Sequence, residues 1–165
     1  MPDTAPAIVL REVLDADLHQ FFEHLRDPQA VAMGPFTAED PNDRQSFDAH
    51  WRRLRRNPEV TVRTIALADD PERLVVGHIL HFVEEGQPQV SYWIGREHWG
   101  RGIATTALAM LLREVPERPV WARAARHNRG SLMVLQRNGF VIVGQDTGYA
   151  PDRGRMIDEL VLRLA

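Results

Sequence analysis

The sequence predicts an α/β (α+β) fold: a mixed, mostly antiparallel twisted sheet of about six to seven strands, flanked by about four helices. Three observations carry this reading. Between residues 60 and 94 the chain is rich in apolar and β-branched residues, broken only by short connections, as in an antiparallel meander. On either side, residues 15–25, 43–56 and 104–115 place apolar side chains at helical spacing. A chain of 165 residues, 44% hydrophobic and 26% charged, suits one domain with a real core. We assign that domain to residues 8–165 and an N-terminal extension to residues 1–7.

Taken in order, residues 8–10 form a first strand, and Asp15 is placed to cap a helix carrying Leu18, Phe21, Phe22 and Leu25. Residues 33–42 contain Gly34, Pro35 and Pro41 and read as a loop. Residues 43–56 are helical, with Phe47, Trp51 and Leu54 on one face. Arg52, Arg53, Arg55 and Arg56 lie mostly off that face, as a solvated surface or one turned toward an acidic partner. Residues 60–68, 74–83 and 89–94 are the meander strands, with Glu85-Gly86-Gln87-Pro88 as a turn. The helix at 104–115 carries the stripe Ala104, Leu108, Leu111, Leu112 and Val115, and Pro116 and Pro119 end it. Residues 119–126 are strand-like. Asn128 starts a short helix, which Asn138-Gly139 closes in a left-handed turn. Residues 140–143 and 159–164 are the closing strands, and 145–155 is a polar, exposed loop.

Composition removes several function classes. The net charge of −3 argues against a nucleic-acid partner, although all 20 basic residues are arginine. The absence of cysteine excludes disulfides, thiolate metal sites and a cysteine nucleophile. No basic, then apolar, leader is visible, and the longest apolar stretch, 103–112, is too short to cross a bilayer. We therefore expect a cytoplasmic protein with no membrane partner. No metal is expected either: His78 and His81 are three apart in a strand and point to opposite faces.

The segment HWGRGIATTAL, residues 98–108, places two glycines around an arginine just before a helix. Such a turn sets backbone N–H groups near a helix N-terminus, where unpaired amides and the helix dipole both favour an anion. A phosphate loop of the GxxxxGK[ST] type is absent. A dinucleotide fingerprint would share Gly100 and Gly102, but Thr105 stands at its third glycine, and only Arg123 is available as a 2′-phosphate partner. A purely structural turn is the remaining reading.

The order of elements, together with two motifs, resembles the GCN5-related N-acetyltransferase (GNAT) family over nearly the whole chain. Its acetyl-CoA motif, [QR]-x-x-G-x-[GA], falls on Trp99-Gly100-Arg101-Gly102-Ile103-Ala104. Trp99 departs from the usual Gln or Arg. That departure is similar to the branch acetylating ribosomal-protein N-termini (RimJ/RimL-like), where WGxGxAT is usual. The second marker of that branch, N-x-x-S followed by a helix and N-G-F, matches Asn128 to Ser131 and Asn138-Gly139-Phe140.

The resemblance implies direct transfer from acetyl-CoA, with no metal, to an amine on a protein N-terminus or a small molecule (amino acid, polyamine or antibiotic). It implies that the amides of Arg101, Gly102, Ile103, Ala104 and Thr105, with Trp99 and Gly100, hold the pyrophosphate. A distorted strand would aim an amide at the acetyl carbonyl near Trp93 and Ile94. Asn128 would contact the pantetheine arm or a water. The family's usual acid, a tyrosine five residues before Phe140, is Leu135 here, so the acid role maps to Ser131. That gap leaves a catalytically weak acyl-CoA-binding module as a further reading. Tyr92, Ser91, His78 and His81 are the central-strand candidates for the base. Asp40, Asp43, Asp146 and Asp152 would attract a cationic amine. Family analogy points to a homodimer.

Overall fold

The computed structural model describes residues 5–34, 40–150 and 154–165. In chain order the elements are β1 (Ile8–Arg11), α1 (Asp17–Leu25), α2 (Pro28–Met33), α3 (Arg44–Arg56), β2 (Thr61–Leu67), β3 (Val75–Glu84) and β4 (Gln87–Ile94). A 3₁₀ turn (Arg96–His98) leads to α4 (Ile103–Glu114), β5 (Val120–Ala125), α5 (Arg129–Arg137), β6 (Val141–Ala150) and β7 (Arg155–Leu164). The strands form one seven-stranded sheet in the order β1-β2-β3-β4-β5-β7-β6. Neighbours are antiparallel except β4 and β5, which run parallel and share one registered pair, Gln89 with Trp121.

Strand alternation sorts side chains into two layers. Tyr92 and Ile79 share one face, which α4 and α5 cover, burying Ile79, Val90, Leu108, Leu111, Val120, Ala122, Leu135, Phe140 and Leu162. His78, Leu80 and Phe82 point the other way, toward α1 and α3. There Phe21, Trp51, Val62 and Leu80 form a second cluster, with the Phe21 and Trp51 rings 4.9 Å apart. The predicted Phe47–Trp51–Leu54 face is the face that packs. On the far half of the sheet the same face carries Trp121, Arg123 and Arg163, the last lying 5.7 Å from the Trp121 ring centre.

One buried carboxylate ties the start of the chain to the sheet. Asp17, 4% exposed, takes two hydrogen bonds from the Arg11 guanidinium at 2.7 and 2.9 Å. It takes a third from Leu14 N at 2.8 Å and a fourth from Thr64 Oγ1 on β2 at 2.7 Å. Burial by itself would raise its pKa, but these donors outweigh burial and hold it below the usual aspartate value.

Three expectations change. Asp15 does not cap α1 with its side chain; Ala16 is the N-cap, and the Asp15 carboxylate pairs with Arg55 at 2.7 Å. The expected loop at 33–42 begins inside a short extra helix, α2, started by an Asp27 cap on Gln29 N with Pro28 at its first position. Gly34 ends that helix, and residues 35–39 lie outside the described residues. The expected loop at 145–155 is largely a hairpin: β6 runs on to Ala150 and β7 starts at Arg155, with Asp146 opposite Glu159. Its polar, solvent-facing residues hide the strand period, and residues 151–153 lie outside the described residues. The β6–β7 register shifts between Ile142 and Gly144.

Asp17→Asn should lower stability by about 2 kcal/mol at pH 7, because hydrogen bonds to a charged group are lost. The folded pKa is depressed, so this contribution is present above the unfolded aspartate pKa of about 3.9 and is lost as pH falls through the folded value. Urea midpoints of the two proteins should differ at pH 7 and begin to draw together only as the pH falls below about 4.

Candidate active site

Beyond the Gln89–Trp121 pair, β4 and β5 part. The gap is a cleft of about 50 Å³ lined by Val90, Ser91, Tyr92, Ala122, Arg123, Ser131 and Leu135. Tyr92 and Ser131 meet inside it. The phenol oxygen lies 2.7 Å from Ser131 Oγ and 3.2 Å from the Ser131 carbonyl. Burial pushes the phenol pKa up to about 12, against the opposing pull of the Ser131 hydrogen bond. The pair therefore stays protonated through the neutral range and can deliver a proton to a leaving group. Asn128 fixes Ser131 as a helix cap, its Oδ1 accepting from Ser131 N at 3.1 Å. Leu135, one turn further along α5, closes the cleft with an apolar wall.

The glycine turn sits at the end of β4. The strand stops at Ile94, as expected, and the 3₁₀ turn intervenes before Trp99. Gly100 and Gly102 adopt left-handed φ values of 75° and 77°, which other L-residues reach only with strain. Gly102 is the N-cap of α4, and no side chain caps that helix among the described residues. Thr106 N bonds the Gly102 carbonyl at 3.1 Å, leaving the preceding amides, Ile103, Ala104 and Thr105, without intrahelical partners. An uncapped helix start of this kind accommodates a pyrophosphate. Trp99 folds the turn back on β4, its Nε1 donating to the Ile94 carbonyl at 2.9 Å.

Trp93 and Ile94 end β4. The β3–β4 register runs unbroken from Glu84 opposite Gln87 to Gly77 opposite Ile94, so that ladder carries no distortion. The irregularity of β4 lies on its β5 side. The Trp93 side chain turns away from Tyr92; its Nε1 donates to the His24 carbonyl at 3.1 Å, and its ring lies against Gly34. The Ile94 side chain is buried in the core. At Gly95 a Cβ would fall 2.5 Å from His24 Nε2, so α1 presses directly on the end of β4.

The histidines on the central strands stay outside the cleft. His78 lies between Phe21 and Trp51, and burial pushes its pKa down to about 3. His81 faces the opposite side, as its spacing predicted. Among the described residues no group of three or more His, Cys, Asp or Glu is arranged to hold a metal. Among the described residues no helix is long and apolar enough to cross a membrane.

Of the expected acidic attractors, Asp43 caps α3 through Ser46 and Asp40 bonds Asn42 N. Asp146 reaches Arg123, and Asp152 lies outside the described residues. Arg123 is the residue that sequence reasoning placed in another role: it lines the cleft beside Ser91. Its signal was the alternation Trp121, Arg123, Ala125 in a strand, legible only once the open face of β5 is known.

A model of the acetyltransferase (GNAT) domain matches residues 7–141. No curated protein sequence matches significantly. Among solved structures, RimJ from Mycobacterium smegmatis in complex with CoA-disulfide is 24% identical, over 98% of this chain and 84% of that one, with a TM-score of 0.78. Spermidine N-acetyltransferase from Vibrio cholerae, in complex with CoA and spermine, is 15% identical over 95% and 94% of the two chains, at TM-score 0.80. A phosphinothricin acetyltransferase from Sinorhizobium meliloti in complex with AcCoA is 19% identical over 96% and 88%, at TM-score 0.77.

Tyr92 is one of two tyrosines, the other being Tyr149. Ultraviolet difference titration should show a phenol component with a midpoint of about 12 that disappears in Tyr92→Phe. A wild-type curve lacking that component would show the phenol to be open to water.

The chain belongs to the GNAT acetyltransferase family, and it is an acetyl-CoA-dependent N-acetyltransferase.

Proposed function

We propose that this family member transfers the acetyl group of acetyl-CoA directly to the α-amine of a protein N-terminus. The reading is carried by two features together: the uncapped, glycine-turned start of α4 and the cleft beside β4 that holds the Tyr92–Ser131 pair. In this reading the amides of residues 101–105 hold the pyrophosphate, and Trp99 and Gly100 shape the turn. Backbone at Trp93 and Ile94 faces the acetyl carbonyl. Ser131, backed by Tyr92, protonates the leaving thiolate, and Asn128 keeps Ser131 in place. An α-amine, with a solution pKa of about 8, needs little help from a base, whereas a lysine amine at about 10.4 needs more. That difference favours an α-amine at a cleft whose described lining carries neither a carboxylate nor an imidazole.

A small-molecule amine is the second reading, favoured by the structural likeness to the spermidine and phosphinothricin enzymes. We also read the protein as cytoplasmic and as a homodimer. Edge strand β6, with Val141, Ile142 and Val143 exposed, offers apolar surface for the latter.

Calorimetric titration with acetyl-CoA tests the site. The wild type should bind, and Gly102→Glu should not, with unchanged circular dichroism. Ser131→Ala should then lower kcat about 100-fold while leaving acetyl-CoA affinity unchanged. No binding by folded wild type overturns the reading. Binding with an unchanged Ser131→Ala rate removes Ser131 from the acid role.

A further inference from the structure

We infer that Arg123 is the specificity-determining residue for the acceptor: its guanidinium binds a carbonyl or carboxylate oxygen on the carbon that bears the amine. The inference rests on the transferase reading and deepens it. The cleft passes through the sheet. Tyr92 and Ser131 stand on the α5 side, whereas Ser91 and Arg123 belong to the opposite face, the face shared by Gln89 and Trp121. Arg123 is therefore the charged residue of the lining, on the face opposite the hydroxyl pair.

Its guanidinium is held but not used up. Nη1 donates to Glu159 Oε1 at 2.7 Å and to Asp146 Oδ2 at 3.0 Å. Glu159 is 7% exposed and sits on β7, opposite Ala125 of β5, so the anchor is rigid. Nε and Nη2 make no hydrogen bond among the described residues. They form one edge of a planar fork, which matches two oxygen lone pairs on a carboxylate, or one carbonyl approached by both donors. Lysine could hold the two acids but could not present that edge.

The local charge fits the other half of such an acceptor. Two carboxylates around one guanidinium leave a net charge of −1, so an ammonium arriving beside Arg123 is not repelled. A group carrying an ammonium and an oxygen on adjacent atoms therefore meets both signs in the right chemistry. A polyamine offers only the cation and leaves the fork, on a side chain 40% exposed, to water, so it gains nothing from Arg123. The oxygen has two sources: the first carbonyl of a peptide, or the carboxylate of a free amino acid.

The test compares kcat/KM for an amidated Ser-Ala-Ala-Ala peptide, free L-serine and spermidine, in wild type and in Arg123→Lys. The lysine variant keeps a charge against buried Glu159 and so preserves the fold; an unchanged KM for acetyl-CoA verifies this. Wild type should prefer an α-aminoacyl acceptor to spermidine. Arg123→Lys should lower the ratio of that acceptor's kcat/KM to that of spermidine about 10–100-fold, mainly through the acceptor KM. Preference for the peptide assigns the carbonyl source, and preference for serine assigns the carboxylate. Wild-type preference for spermidine, or an equal loss on all three acceptors in the variant, overturns the role of Arg123 and leaves the transferase reading standing. Transfer to none of them by protein that binds acetyl-CoA overturns both.

Discussion

The site depends on one constraint: β4 and β5 are parallel neighbours that touch at a single registered pair. In a sheet otherwise held by long antiparallel ladders, this is where the backbone amides stop satisfying one another. The chain leaves β4, crosses by way of α4 and returns as β5, so the helix start and the parting of the strands are consequences of the same crossover. α5 then follows β5 closely enough to set Ser131 against Tyr92. Two hydroxyls and a charged fork are brought to one cleft by topology, although they come from three separate parts of the chain.

Holding two strands apart requires support on both sides. The α4–α5 layer supplies it on one face, through Leu108, Leu111, Leu135 and Phe140. On the other, α1 presses against the end of β4 through His24, and the Trp93 indole is pinned to the His24 carbonyl. Asp17 in turn fixes α1 to β1 and β2 through Arg11 and Thr64. A neutral histidine at position 78 fills the aromatic layer beneath, with no charge to solvate.

Much of this could be read in the sequence. The meander, the amphipathic α3 and α4, and the Asn128 and Asn138-Gly139 helix ends each have a local cause, so each was legible from local pattern. The glycine turn was legible for the same reason: left-handed backbone at Gly100 and Gly102 has few other solutions. What failed to show were features decided by distant contacts. Asp15 has the chemistry of a cap, but Arg55, forty residues away, takes its carboxylate. Residues 145–150 lack an apolar alternation because β6 is an edge strand, so their strand character comes from pairing with β7. The Asp27-Pro28 start of α2 was a real local signal, passed over because the glycine and prolines that follow dominate the window. Arg123 looked like an isolated basic residue until β7 supplied Glu159.

The contact between His24 and Gly95 also bears on how such a sequence can drift. A side chain at position 95 has nowhere to go while an imidazole occupies its place, with Nε2 only 2.5 Å from where a Cβ would stand. The two positions are therefore coupled: a side chain at position 95 requires the imidazole of His24 to shift or to give way to something smaller at the end of β4.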